Sequence, residues 1–341
     1  MNEQQIKEKE ITIIGGGTMG TALAQLIAGN GYGVRLWVYE KELCDIINSK
    51  HENTFFLPGI KLSESIVATN SLKDAITEVD VVFSVTPSQL IRKIWSEAKE
   101  YLKESASVVC ASKGVETGTG KLLSDVFEEV LGGEKLHHLA YLSGPSFAKE
   151  ILQGTPTTVV VASHNEALAI TIQEMVSTSV FRIYTTDDVI GVELGGAIKN
   201  VIAIGVGIAE GLGFGINTRS AIITRGLAEI TRLAVACGAN PLTLSGLAGM
   251  GDLVLTCTGH LSRNLQVGLR LGKGEKLEDI LSSTNMIAEG VATAHSTLQL
   301  ANSKGIEMPI TRMVDALLKG EISPSEAVSS LMERPLRSEK E

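Results

Sequence analysis

Several things are scarce in this chain, and each scarcity removes a class of protein. Only four cysteines occur, Cys44, Cys110, Cys237 and Cys257, far apart in the sequence. With no Cys-x-x-Cys pair and no histidine-rich partner segment, no metal ligand set is expected. The longest apolar run after Asn200, Val201 to Ala209, falls far short of the roughly 20 residues that cross a bilayer, so no membrane span is expected. The opening MNEQQIKEKE is polar and mixed in charge, without an apolar core, so the expectation is no standard secretion signal and a cytoplasmic location. Thirty basic against thirty-nine acidic side chains leave a net charge of −9, and no general cationic field exists for nucleic acid or an anionic membrane. Any anionic ligand must be held by a local cluster. Internal repeats and low-complexity linkers are also missing, which suggests two halves packed directly on one another.

The chain of 341 residues exceeds the usual size of one domain, so two are expected, and 44% apolar with 20% charged residues is ordinary globular usage. Glycine is the one excess, at 35 residues, and implies close approach of backbone to something. Strands are predicted at Ile11–Ile14, Val34–Val38, Val81–Val85, Val108–Ala111, Leu139–Leu142, Thr158–Val161 and Val180–Tyr184, most of them separated by helical patterns. Alternation of this kind implies crossover units and a mainly parallel sheet. Beyond Asp187-Asp188 only helical periodicity remains, over Val189–Ala209, Ser220–Cys237, Ser262–Leu271, Thr293–Ser303, Ile310–Leu318 and Ser325–Met332. Ser323-Pro324-Ser325-Glu326 supplies an N-cap, a first-turn proline and a capping-box glutamate, and Gly320 closes the helix before it. The last nine residues read as frayed. The expected fold is therefore α/β, a doubly wound, mainly parallel Rossmann-type sheet over residues 1–187, joined to an all-helical domain over 188–341.

Gly15-Gly16-Gly17-Thr18-Met19-Gly20 matches G-x-G-x-x-G and sits directly after a strand and at the start of a helix, the context that gives this weak pattern its meaning. The first glycine permits the turn, the second lets a pyrophosphate touch backbone, and the third allows close helix–strand packing. At the end of the second strand, where an acid would bond the ribose hydroxyls, stands Val38. Tyr39, Glu40 and Lys41 follow, so neither NAD nor NADP is clearly encoded. Tyr39 either covers the adenine face or is an ordinary loop aromatic.

Unusual polar residues gather in Ala111-Ser112-Lys113-Gly114, Leu142-Ser143-Gly144-Pro145-Ser146-Phe147-Ala148-Lys149-Glu150, Gly195-Gly196-Ala197-Ile198-Lys199-Asn200, Gly249-Met250-Gly251-Asp252-Leu253 and Leu261-Ser262-Arg263-Asn264. Lys199 lies in an apolar helix and leans over Gly195 and Gly196, as if over a ligand, although a lone helical lysine more often snorkels to water. A lysine accepts a hydroxyl proton at neutral pH only if burial or a second cation lowers its pKa, and Lys113 is a candidate for that cation. Asp252 either faces the site or merely caps a helix. Ser262-Arg263-Asn264 offers a helix start, a forked guanidinium and an amide, suited to a phosphomonoester, or else a cap and a solvated arginine.

In order and spacing these blocks, with the glycine turn, resemble the bacterial NAD(P)-dependent sn-glycerol-3-phosphate dehydrogenases, from Ile13 to about Met332. The blocks Gly191–Ala203 and Gly251–Cys257 are the most specific. The resemblance implies hydride transfer between NAD(P)H and dihydroxyacetone phosphate to give sn-glycerol 3-phosphate, a product used in phospholipid synthesis, and a homodimer. It makes Lys199 the proton acceptor, with Lys113 touching cofactor and substrate and Asp252 beside the substrate. Substrate contacts are implied for Gly144, Ser146, Ser262, Arg263 and Asn264. Cofactor contacts are implied for Gly15, Gly17, Thr18, Met19, Gly20, Tyr39, Ala148, Arg263, Ile287 and Glu289, while Thr256 and Asn200 become second-rank donors. The chain departs from the family habit at Gly16, often alanine, at Met19, often aromatic, and at Tyr39, often Arg or His. Gly205, Gly207, Gly211, Gly213 and Gly215 read as helix contacts or turns, and the six histidines match no catalytic role. The rival readings are another two-domain β-hydroxy dehydrogenase and a cofactor-binding sensor without turnover.

Overall fold

A computed structural model describes residues 9–283, 287–336 and 338–339. The first eight residues of the loose amino terminus, and Arg337, Lys340 and Glu341 of the expected frayed end, lie outside them. All four residues of β1 (Ile11–Ile14) are buried, which requires strands on both sides and cover on both faces. Both conditions are met in an eight-stranded sheet ordered β3-β2-β1-β4-β5-β6-β7-β8. The other strands are β2 (Val34–Trp37), β3 (Ile66–Thr69), β4 (Val81–Ser84), β5 (Ser107–Cys110), β6 (Leu139–Ser143), β7 (Thr157–Ala162) and β8 (Phe181–Thr186). Neighbours run parallel except β6 and β7, which pair antiparallel with Leu142 opposite Val161. The order reverses at β1, where helix α1 (Thr18–Gly29) leaves the glycine turn.

Alternation divides the sheet's apolar residues between two cores. Ile11 and Ile13 pack with Leu23 and Ile27 of α1, whereas Ile14 and Val82 pack with Trp95 and Phe127 on the other face. Strand β3 escaped the sequence reading. It is a four-residue edge strand with Ile66 and Ala68 buried and Val67 exposed, too short to signal periodicity.

Helix α2 (Val189–Gly211) is the axis of the second half. Asp188 caps it, its carboxylate accepting from Gly191 N at 2.9 Å and from Asn240 N at 3.0 Å. Around it lie α3 (Ile216–Ala236), α4 (Asp252–Thr258), α5 (Arg263–Gly272), α6 (Glu289–Ser303) and α7 (Pro309–Leu318), with α8 (Pro324–Met332) against α7. By length and apolar composition α2 could cross a membrane, so the nine-residue run understated it, but its most apolar stretch is 83% buried among these helices, as a core helix is. Ser323 and Glu326 form the expected capping box, with Glu326 accepting from Ser323 N at 2.7 Å.

The helices cross α2 closely because glycines meet. A Cβ on Gly207 would lie 2.2 Å from Leu265 O, and one on Gly268 would lie 2.0 Å from Ile204 O. Gly211 and Gly272 repeat the contact one turn on, while Gly213 sits in a turn with φ +88°. This crossing fixes where the first residues of α5 fall along α2.

Candidate active site

The glycine turn is shaped by three different contacts. Gly15 has φ +122°, and a Cβ there would meet Val85 O at 2.6 Å. A Cβ on Gly20 would fall 1.8 Å from Gly15 O, so α1 lies directly on the turn. Gly17 faces open space, and as N-cap it offers no side chain to the first N–H groups of α1. Those donors, on Thr18, Met19 and Gly20, have no partner within the helix and form a cradle for an anion. This is the observation by which the turn fits a dinucleotide's pyrophosphate. Buried Asn53 donates to Gly16 O at 2.7 Å and Thr21 Oγ1 at 2.8 Å, bracing the turn from a loop that carries no sequence motif. Val38 is wholly buried, with a methyl 2.8 Å from where a Gly16 Cβ would stand, and so does not face a ribose. Tyr39 is 79% exposed, edge-on to Trp37.

Lys199 and Asn200 project from the buried middle of α2. Gly195 and Gly196 differ from expectation: they admit protein. A Cβ on Gly195 would strike Ala248 O at 2.5 Å, and one on Gly196 would strike Ser143 Oγ at 2.5 Å, with the Lys113 stem at 3.5 Å. The π-helical turn Leu247–Gly251 therefore comes up against α2 and delivers Asp252, the first residue of α4. Asp252 is fully buried and caps nothing; it accepts from Lys199 Nζ on one oxygen and from Lys113 Nζ at 2.6 Å on the other. Lys113 also donates to Gly144 O at 3.4 Å, an oxygen that accepts from Ser146 Oγ at 3.0 Å. Thr256 Oγ1 donates back to Asp252 O, an intrahelical bond.

Burial lowers the Lys199 pKa most, Asp252 opposes it, Lys113 adds to it, and the result is about 8. For Asp252, burial would raise the carboxyl, but Lys113 and Lys199 together hold it below its usual range.

Helix α5 begins at the same place. Ser262 Oγ accepts from Leu265 N, so its hydroxyl serves as the cap. The Asn264 amide is likewise engaged: Nδ2 donates to Asn200 Oδ1 at 2.9 Å, and Oδ1 accepts from Gly290 N at 2.9 Å. What Asn264 leaves free for an anion is its first-turn N–H. Arg263 reaches the glycine turn and donates to Thr18 Oγ1 at 2.9 Å. Burial lowers its pKa, against the attraction of Glu289. Glu289 opens α6 and accepts from Ser88 N at 3.1 Å and Ser88 Oγ at 2.5 Å in the loop after β4. Sequence pattern gave no sign of Ser88.

Models of the two domains described as NAD-dependent glycerol-3-phosphate dehydrogenase N-terminus and C-terminus match residues 10–169 and 188–329. The chain belongs to the NAD-dependent glycerol-3-phosphate dehydrogenase family. Glycerol-3-phosphate dehydrogenase [NAD(P)+] of Citrifermentans bemidjiense is 50% identical over 97% of this chain and 99% of that protein. The Myxococcus xanthus enzyme of the same name is 50% identical over 96% and 98%. The crystal structure of glycerol-3-phosphate dehydrogenase from Coxiella burnetii superposes with a TM-score of 0.91 at 38% identity, covering 96% of this chain and 99% of that one.

Many of the marked residues are joined by one series of polar contacts. Lys113, Asp252 and Lys199 are joined by ion pairs, with Gly144 and Ser146 attached through Lys113. Asn200 and Asn264 link that array to α5, and Arg263 links α5 to Thr18. Ala148 starts a short helix that packs on the core beside α1. Tyr39 and Ile287 stand apart, both exposed.

Proposed function

We propose that this chain catalyses reversible hydride transfer between NAD(P)H and dihydroxyacetone phosphate, giving sn-glycerol 3-phosphate. The observation that carries this reading is the buried Lys113–Asp252–Lys199 array, tied through Asn200 and Asn264 to the first turn of α5, whose Arg263 bonds the glycine turn. Residues 1–187 would form the dinucleotide domain and 188–341 the catalytic one. When bound, the nicotinamide cofactor supplies or accepts the hydride. Gly15, Gly17, Thr18, Met19 and Gly20 would hold its pyrophosphate on backbone N–H groups, and Arg263 would add charge. Tyr39, Ala148, Ile287 and Glu289 are assigned to its remaining parts.

The chain's own residues handle the proton. In ketone reduction, protonated Lys199 donates Nζ–H to the oxygen that becomes the hydroxyl, and in alcohol oxidation its neutral amine takes that proton back. Asp252 fixes the direction of the amine, and Lys113 neutralises Asp252 and meets the substrate. Arg263 and the N–H groups of Arg263 and Asn264 hold the phosphate, with Ser262 securing the helix end and Gly144 and Ser146 lining the far side. A cytoplasmic homodimer supplying glycerophospholipid synthesis is the corresponding biological assignment. The test is an assay of dihydroxyacetone phosphate with each reduced cofactor in turn, following the loss of nicotinamide absorbance. Turnover with neither cofactor, in protein that binds NADH, would favour a sensor over an enzyme.

A further inference from the structure

Behind Lys113, where β5, β6 and α2 meet, lies a small cavity with room for about one water molecule. Its lining includes Lys113, Cys110, Tyr141, Ser143 and Glu193. Among the described residues three polar atoms there have no partner: Tyr141 OH, Ser143 Oγ and Glu193 Oε2, each out of contact with solvent. Tyr141 and Ser143 are each only 5% exposed and share a face of β6. The other oxygen of Glu193 accepts from Ser124 N at 2.9 Å, which fixes the carboxyl. The three residues line one small void, and each unpartnered group would carry a desolvation penalty that a single water bonded to all three would relieve.

We propose that Tyr141, Ser143 and Glu193 hold an ordered water and form a positioning site for Lys113. The Lys113 stem runs along this wall: its Cδ and Ser143 Oγ both crowd the point where Gly196 lacks a Cβ. A rigid wall keeps the ammonium on Asp252, where its charge lowers the proton affinity of Lys199. Burial raises the Glu193 carboxyl to about 7 despite donation from Ser124, so a protonated form that donates to the water is populated near neutrality. Asp125 adds to that rise, and Tyr141 is pushed up by burial and by Glu193, Cys110, Asp125 and Glu128. The charged and titratable groups acting on Lys199 itself are Asp252 and Lys113, with Cys257 close by.

The inference rests on Lys199 titrating during turnover, so its test has an arm that does not need activity. A crystal structure of the wild-type protein should show a water within hydrogen-bonding distance of all three groups; an empty or apolar-filled cavity overturns the proposal. Tyr141→Phe and Ser143→Ala change no charge. Each should loosen Lys113 and move the Lys199 limb of the pH profile upward, by about half a unit or more. A lowered melting temperature with an unmoved profile would overturn the positioning role and leave only a packing defect. If the wild-type enzyme lacks the dehydrogenase activity, that reading fails, whatever the water shows.

Discussion

Lys199 shows how one helical lysine gains a proton affinity suited to neutral pH. Its shift is the sum of burial, which disfavours the ammonium, of the Asp252 carboxylate, which favours it, and of the Lys113 ammonium on the other oxygen of that carboxylate, which disfavours it again. With a pKa near 8, the protonated form needed for reduction is lost as pH rises through that value. Ketone reduction should therefore decline above about pH 8 while alcohol oxidation gains over the same range, as paired pH–rate profiles would reveal. Lys199→Ala should cut kcat in both directions on the order of 10²- to 10⁴-fold, with NADH binding retained in a fluorescence titration. Arg263 poses a different question, because its guanidinium bonds Thr18 of the glycine turn. Arg263→Ala should raise KM for dihydroxyacetone phosphate about 10- to 100-fold and weaken NADH binding as well, the loss expected for charged hydrogen bonds. Equal damage with the unphosphorylated ketone would restrict Arg263 to the cofactor.

Elements, more than single residues, decide where these groups meet. The meeting of α2 and α5 through Gly207, Gly211, Gly268 and Gly272 sets the Asn264 amide on Asn200, the neighbour of Lys199 in the chain, and brings Arg263 to Thr18 of the glycine turn. Gly268→Ala would force a methyl to within 2.0 Å of Ile204 O, where backbone must move. A loss of about 1–3 kcal/mol is expected, measured by chemical denaturation, together with lower kcat from a displaced α5. Seven of the eight strands, the change to helix after Asp188 and the glycine turn were legible in the sequence, since each rests on local periodicity or turn chemistry. Edge strand β3 was not, being four residues with one face open, nor was the antiparallel β6–β7 pairing, which depends on where the chain returns. At the site, residue types were readable and directions were not. Gly195 and Gly196 looked like room for a ligand but accept Ala248, Ser143 and Lys113, and the Asn264 side chain is spent inside the protein. Both outcomes depend on partners more than 20 positions away, which spacing along one segment does not encode.

At the scale of the whole molecule, the two halves share their cores. Val189, Val192 and Ala248 of the helical half are buried in the cluster on one face of the sheet, while Val115 and Leu122 are buried in the helical core. Polar bonds cross the same boundary at Ser88–Glu289, Thr18–Arg263, Ser124–Glu193, Lys113–Asp252 and Val115–Ser296. Neither half can leave without exposing apolar surface and stranding buried charge, so cooperative loss of both is expected despite their different secondary structure. Calorimetry should record one unfolding transition. On the proposed assignment NADH bridges the glycine turn of one half and Arg263 of the other, and it should then raise that whole transition, by about 2.7 kcal/mol of stabilisation at a hundredfold excess over Kd. Two transitions, of which NADH raises only the first-half one, would mean that the shared cores contribute less than the contacts within each half. The boundary would then be a hinge between independent bodies, and Arg263 would hold the cofactor only after closure.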